Sequence, residues 1–514
     1  MSDELENTAV GFLAALPASV TLPAGAGKTH LLAEAARQTV AHGGRTLILT
    51  HTNAGVHAIQ RRLKAFGITA GARVLTLTSF GFLLARAYPN IGQLKVPPTP
   101  DWDDSEDYIA AAQRIATTPL LRRVLAASYS LVLVDEYQDC SEAQHQLVCA
   151  LAEAIQATGV LGDPMQAIFG FRGNTLVTWE DIQARFPDHP VEAKPWRWNE
   201  HNQPLGEWLL SARSAITPGI VIDFSTIKLP PGVEYRNSST DRRAVTDAAL
   251  KYRSAGETTV VISPWETTAR RTAADLNGAF TMMEEVAGKF MGECLRELAA
   301  AAPEQFATWL VNLTKRCTCG HAQLNDGVKN RLKAGKTTSD LKRPGLEPAL
   351  AAFDTVVTNP SYESLAAAMG TILESASLRL HSHEAWNDIQ TALRGAASAG
   401  DDPEILGTEL ARARDRIRHQ GRRNRSKVVS RNLLIKGLEY DHVVIADIGQ
   451  ITDVNNLYVA LTRARKTITI VGRTATITVT ETKTTIPTMS GNRSETSLSR
   501  LKVADTEAAS GVPD

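Results

Sequence analysis

The sequence predicts a protein of the α/β class built on doubly wound parallel sheets. Short runs rich in Val, Ile, Leu and Thr alternate with stretches of helical pattern through the first 200 residues. Each run is followed by a polar or glycine-containing turn, as at the carboxyl ends of parallel strands. The predicted strands are residues 46–50, 73–78, 131–136 and 158–163, then 258–263, 427–435, 442–448 and 467–472.

A chain of 514 residues is long enough for several domains. We expect two α/β lobes, a short insertion in the first, an Ala/Leu-rich helical insertion in the second, and a flexible Thr/Ser-rich tail. The predicted boundaries are 1–200 for the first lobe (insertion about 82–128), 201–283 with 409–476 for the second, 284–408 for the helical insertion and 477–514 for the tail.

The composition restricts the class of protein. Lys plus Arg and Asp plus Glu are equal at 55 each, which excludes a protein covered in positive charge but allows a locally basic groove. Five cysteines in a chain of this length do not predict a disulfide framework. The acidic start and the lack of a long apolar run predict a cytoplasmic protein without a membrane span.

A phosphate-binding loop is predicted at residues 23–29, between an apolar run and a helical pattern. Gly25 and Gly27 allow backbone amides to curl around phosphate oxygens, and Lys28 supplies positive charge. Thr29 carries a hydroxyl suited to Mg²⁺.

An acidic pair ends the predicted buried strand at residues 131–134. Asp135 and Glu136 would emerge at the sheet edge where open α/β sheets bind ligands. Asp135 is suited to hold Mg²⁺, and Glu136 to polarise an attacking water.

Seven further segments together resemble the motifs of the UvrD/Rep/PcrA-type superfamily 1A DNA helicases, in the family's order. They are Leu49–Asn53 (LTHTN), Thr76–Phe80 (TLTSF), Asp135–Asp139 (DEYQD), Gly162–Gly173 (GDPMQAIFGFRG), Trp196-Arg197, Lys436–Asp441 (KGLEYD) and Leu457–Ala464 (LYVALTRA).

The resemblance implies two RecA-like lobes with ATP and Mg²⁺ between them. Gln166, Arg197 and Arg463 would contact the γ-phosphate, since arginine bonds phosphoryl oxygens in pairs. Trp196 would stack on adenine, and Glu439 would contact the ribose or the phosphate network. The family's adenine-reading Gln before the phosphate loop is missing, since the first Gln of the chain is Gln38. The other expected nucleotide contacts are Ala24, Gly25, Ala26, Gly27, Lys28, Thr29 and His30.

The same resemblance implies contacts to single-stranded DNA. Phe171 and His51 would stack on bases, and Arg172 would link a base to the ATP site. The expected hydrogen-bonding contacts to phosphates are Thr52, Asn53, Thr78 and Ser79. The basic run at residues 412–427 is either a phosphate-tracking face or an ordinary solvated helix face.

The function implied is an ATP-dependent translocase or helicase on single-stranded or partly duplex DNA, moving 3′→5′, in DNA repair or antiviral defence. The small insertions favour translocation over strong unwinding. One alternative is a nucleotide-sensing ATPase subunit with a nuclease partner, as in Gabija-type defence complexes. The segment before KGLEYD departs from the family pattern, with Arg431 and Leu433 where the family has Thr and His. This departure supports the alternative. A related RNA motor is a third alternative.

Overall fold

The computed structural model describes residues 2–97, 104–168, 170, 175–252, 256–285, 288–420 and 425–482. Its strands are β1 Ala18–Thr21, β2 Thr46–Thr50, β3 Ala72–Thr76, β4 Leu131–Val134, β5 Thr158–Gly162, β6 Val221–Asp223, β7 Val233–Asn237, β8 Thr259–Ser263, β9 Thr281–Met282, β10 Thr318–Cys319, β11 Arg379–Leu380, β12 Lys427–Arg431, β13 Tyr440–Ile445, β14 Ala464–Gly472 and β15 Thr476–Thr478. Its α-helices are α1 Ser2–Ala14, α2 Lys28–Ala41, α3 Asn53–Ala65, α4 Leu77–Ala87, α5 Pro89–Gly92, α6 Ser105–Thr117, α7 Pro119–Ser128, α8 Glu142–Ala154, α9 Trp179–Arg185, α10 Gln203–Ala215, α11 Ala244–Lys251, α12 Glu266–Asp275, α13 Lys289–Ala299, α14 Phe306–Cys317, α15 Asp326–Lys333, α16 Glu347–Thr358, α17 Tyr362–Ile372, α18 His383–Ser398, α19 Ile405–Gln420 and α20 Val454–Leu461.

The first sheet is parallel, with strand order β1-β5-β4-β2-β3. Successive side chains of a strand point to opposite faces, and both faces of this sheet are apolar. Leu131 and Leu133 pack into the core beside α2, whereas Val132 and Val134 pack into the core beside α8. The sheet is therefore buried on both sides, and its carboxyl edge is left for polar residues.

The second sheet is also parallel, with strand order β7-β14-β13-β8-β12-β9. Val260 and Ile262 of β8 lie in one core, and Val261 between them lies in the other. Both sheets confirm the predicted α/β class with parallel sheets.

Helices α13 to α19 form a block with its own core. Helix α19 crosses the predicted boundary at residue 408, because Leu406 and Leu410 bury their side chains in this core. The domain boundaries given by the sequence remain predictions.

Two predicted strands are shorter than expected. The run 73–78 ends at Thr76, whose hydroxyl accepts the Ser79 amide and caps α4. The run 427–435 ends at Arg431, after which Asn432–Ile435 form a 3₁₀ turn.

The prediction that the flexible tail begins at residue 477 is wrong for residues 477–482. Strand β15 pairs with β6, and Ile477 and Val479 bury their side chains in the core of the second sheet. The rest of the predicted tail lies outside the described residues. Among the described residues, no helix is both long and apolar enough to span a membrane.

Candidate active site

The predicted phosphate loop joins β1 to α2 at the carboxyl edge of the first sheet. Gly25 and Gly27 have φ values of 72° and 94°, a left-handed conformation that favours glycine. The ammonium of Lys28 donates to the Leu22 and Pro23 carbonyls at 2.6 and 3.2 Å. Burial lowers the pKa of Lys28, while Asp163 and Glu136 act in the opposite direction. The lysine is thus held inside the loop, next to carboxylates.

The acidic pair follows β4 at the same edge, next to β2. The Asp135 amide donates to the Leu49 carbonyl at 2.9 Å, which continues the β2–β4 pairing. Asp135 is buried, and its Oδ1 has no hydrogen-bond partner in the described part of the chain. Burial raises the pKa of Asp135, and the charge of Glu136 adds to the increase.

Glu136 adopts a left-handed conformation, with φ of 56°. Its Oε2 accepts a hydrogen bond from the Gln138 amide group at 2.6 Å. Burial alone would raise the pKa of Glu136, but Lys28 and Lys436 hold it below the ordinary value. The two adjacent carboxyls therefore have pKa values shifted in opposite directions, a common arrangement in acid–base sites.

The pair fits Mg²⁺. Thr29, Asp135 and Glu136 line one cavity of about 60 Å³. Hydroxyl and carboxylate oxygens are the ligands that Mg²⁺ prefers. A cation would also satisfy the unpaired Oδ1 of Asp135 and favour its charged form.

Gln166 and Arg463 meet between the two lobes. The Arg463 Nη2 donates to Gln166 Oε1 at 2.9 Å, and both side chains are buried. Gln166 Nε2 donates in turn to Asp163 at 2.8 Å. Burial lowers the pKa of Arg463 to about 10, and Arg197 adds to the decrease. The arginine remains charged at neutral pH.

Arg197 also bridges the lobes. Its guanidinium pairs with Glu439 at 3.0 Å and donates to the Thr462 carbonyl. Arg197 holds the pKa of Glu439 below its ordinary value. The structure therefore brings Gln166, Arg197, Arg463 and Glu439 together around the phosphate loop.

The segment from Trp196 to Trp198 packs on the phosphate loop. A Cβ on Gly25 would lie 2.6 Å from the Trp198 ring, and one on Gly27 would lie 2.9 Å from the Trp196 ring. Trp198 is fully buried, and its Nε1 donates to the Ala464 carbonyl at 2.7 Å. Trp198 thus links the loop to the second lobe, a role that its sequence position did not predict.

Two more second-lobe side chains reach the first lobe without having been assigned a role from the sequence. The Tyr458 hydroxyl accepts the Ala24 amide at 3.2 Å. Lys436 forms a buried ion pair with Asp139. Both residues lie within segments that resemble the family motifs, and this position was the feature of the sequence that could have indicated a role for them.

Another unpredicted contact holds Asp163. Arg213 pairs with this buried carboxylate at 2.5 Å, and its guanidinium lies 5.3 Å from the centre of the Tyr458 ring.

The residues predicted to contact DNA occupy two places. Thr52 and Ser79 lie at the starts of α3 and α4, and the Thr52 hydroxyl accepts the Gly55 amide. Asn53 and Thr78 lie in the first turns of the same helices. Phe171 and Arg172 lie outside the described residues.

His51 lines the cavity that holds Thr29 and Glu136, and its Nε2 lies 3.4 Å from the Cys140 sulfur. Burial lowers the pKa of His51 to about 3, with Lys436 contributing, so its ring is neutral. His30 lies half-buried in the first turn of α2, with its ring edge-on to Phe66. Burial, with Arg62 nearby, lowers the pKa of His30 to about 4.

The basic run is not uniformly solvated. Arg412 is exposed, but Arg414 is buried and pairs with Asp388 at 2.6 Å. The side chains of residues 416–424 lie outside the description.

Comparison with known proteins shows similarity over part of the chain. Residues 101–187 match the UvrD/REP helicase N-terminal domain. The chain is also 32% identical over 117 residues to proteins named ATP-dependent DNA helicase UvrD1, from Mycobacterium bovis and Mycobacterium tuberculosis. Each match covers 20% of this chain and 15% of the relative, so the chain spans a small part of the relatives it matches.

Proposed function

We propose that this chain, part of which is similar to UvrD-like helicases, is an ATP-driven motor on single-stranded DNA. The observation that carries the proposal is the buried contact between Gln166 and Arg463 across the two lobes. Two residues from different lobes that meet beside a phosphate loop suit a γ-phosphate sensor. The resemblance supports 3′→5′ movement.

The residues suit hydrolysis of a nucleoside triphosphate. Mg²⁺ held by Thr29 and Asp135 would neutralise charge on the phosphate oxygens. Glu136, with its lowered pKa, would orient the attacking water and accept its proton. Lys28, Arg197 and Arg463 would spread positive charge over the transferred phosphoryl group.

Movement follows from the placement of these groups on both lobes. Bound ATP would draw Arg463 and Gln166 onto one phosphate and close the cleft, and hydrolysis would remove that contact. DNA held by both lobes, with Thr52, Asn53, Thr78 and Ser79 on the first, would then shift by one step per cycle.

One contact favours the alternative, a nucleotide-sensing ATPase subunit with a nuclease partner. Arg431 lies in the changed segment that precedes KGLEYD and forms an ion pair with Glu285, which lies between β9 and α13. An arginine held in this way is less free to report bound DNA to the ATP site.

The test is ATP hydrolysis by the purified chain alone and with single-stranded DNA, duplex DNA or RNA. We expect stimulation by single-stranded DNA, and its loss in Glu136→Gln and Arg463→Ala. Hydrolysis indifferent to every nucleic acid would favour the sensing subunit. Preferential stimulation by RNA would favour the RNA motor.

A further inference from the structure

Two side chains of the second lobe donate hydrogen bonds to main-chain carbonyls of a short segment of the first lobe, a set of contacts that we call the grip. This segment, Pro164–Ala167, follows β5 and contains Gln166. The Lys436 ammonium donates to the Gln166 carbonyl as well as to Asp139. The Asn455 side-chain amide donates to the Ala167 carbonyl at 2.8 Å and to the Pro164 carbonyl at 3.4 Å.

These contacts differ from the contact made by Arg463. Arg463 binds the side chain of Gln166, which a bound phosphate would compete for. Lys436 and Asn455 bind main-chain carbonyls, which a nucleotide would leave unchanged. Lys436 and Asp139 are also almost fully buried, and a buried charge that loses its partner is strongly unfavourable. These contacts do not use the Gln166 side chain, so a phosphate that binds this side chain would not compete for them.

We infer that Lys436 and Asn455 are positioning residues that fasten the Pro164–Ala167 segment to the second lobe. The inference rests on the proposed function and specifies how Gln166 follows lobe movement. Because the segment is held from the second lobe, movement of that lobe carries Gln166 with it. Asn455 acts through the segment that contains Gln166. Lys436 also lines the cavity of Thr29, Asp135 and Glu136, so the Asn455 variant is the more specific test of the grip.

Substitution should lower kcat and leave the KM for ATP nearly unchanged, because ground-state binding depends on the phosphate loop. We expect Lys436→Met to reduce kcat at least about tenfold, with KM within about threefold. Asn455→Ala, which loses a smaller contact, should reduce kcat about two- to tenfold. Lys436→Arg keeps the charge and the donors, and should recover part of the rate.

Neighbouring residues provide matched controls. Asn456 lies beside Asn455 on α20, but its side chain bonds Asp453 and Asn432 within the second lobe. Lys427 donates to the Tyr252 carbonyl, also within the second lobe. Asn456→Ala and Lys427→Met should leave kcat within about twofold of the unsubstituted protein.

A second measurement does not need hydrolysis. Hydrogen–deuterium exchange of the Pro164–Ala167 segment, without nucleotide, should become faster in Lys436→Met and Asn455→Ala and stay unchanged in the controls. An unsubstituted chain without ATPase activity would refute the proposed function while this measurement still tests the grip. Exchange unchanged in both variants, or a kcat unchanged in both, would overturn the inference. If Lys436→Met does not fold, Asn455→Ala alone decides.

Discussion

Replacing Gly25 by alanine should weaken ATP binding, and the structure allows the effect to be calculated in two parts. The first is conformational. Gly25 has a φ of 72°, and a left-handed conformation costs a residue with a Cβ about 1–2 kcal/mol. The second is steric. The new methyl group would lie 2.6 and 2.7 Å from two carbons of the Trp198 ring and 3.0 Å from the Arg197 Cβ.

The Trp198 ring cannot easily move aside, because it is fully buried and hydrogen-bonded to Ala464. Overpacking of this kind costs about 1–3 kcal/mol. If the loop relieves it by shifting away from its phosphate-binding shape, the steric part alone weakens ATP binding roughly 5- to 150-fold.

Gly43 provides a control for the general cost of an alanine at a positive φ. Its φ is 80°, but a Cβ there would meet no atom within 4 Å. Gly43→Ala therefore carries the conformational cost without the clash, at the far end of α2 from the loop. The assay is the Kd of a fluorescent ATP analogue together with the KM for ATP. We expect Gly25→Ala to raise both, and Gly43→Ala to leave both unchanged. Equal values for the two variants would refute the reasoning that the methyl group at position 25 disturbs the phosphate loop.

Three further variants test the nucleotide site. Trp196→Tyr should keep the KM for ATP within about threefold and Trp196→Ala should raise it about tenfold, since base stacking contributes about 1–3 kcal/mol; equal KM values would contradict adenine stacking. Asp135→Asn should raise the Mg²⁺ concentration needed for half-maximal hydrolysis, and an unchanged Mg²⁺ titration would exclude Asp135 as a ligand. Tyr458→Phe removes the acceptor of the Ala24 amide and should raise the KM for ATP about two- to tenfold, an effect that an equally active variant would disprove.

Local features of the site could be predicted from the sequence. The phosphate loop needs glycine where φ is positive, and Gly25 and Gly27 have that conformation. Asp135 and Glu136 follow an uninterrupted apolar strand, so their place at the sheet edge follows from neighbouring residues alone. The parallel sheets follow from the same kind of pattern.

Contacts between distant positions could not be predicted in this way. Lys436 and Asp139 are separated by 297 positions, and Tyr458 and Ala24 by 434. The sequence around each of these residues has no pattern that indicates its partner, so the pairing becomes visible only in the folded structure. His51 is a second case, because its place in the cavity with Glu136 could not be read from its motif, and its stacking on a base remains a prediction.

The two ends of the helical block lie close together. Strands β9 and β12, which precede and follow the block in the chain, are neighbours in the second sheet, with Thr281 opposite Val428. Arg414 of α19 also donates to the Glu285 carbonyl at 2.5 Å, just before α13 begins. Chain that leaves the second sheet at this point therefore returns to it at nearly the same place. The helical block is thus an insertion whose first and last residues connect to neighbouring positions of the second sheet. Evolution or protein engineering could lengthen, shorten or exchange it while the strand register beside the cleft stays the same.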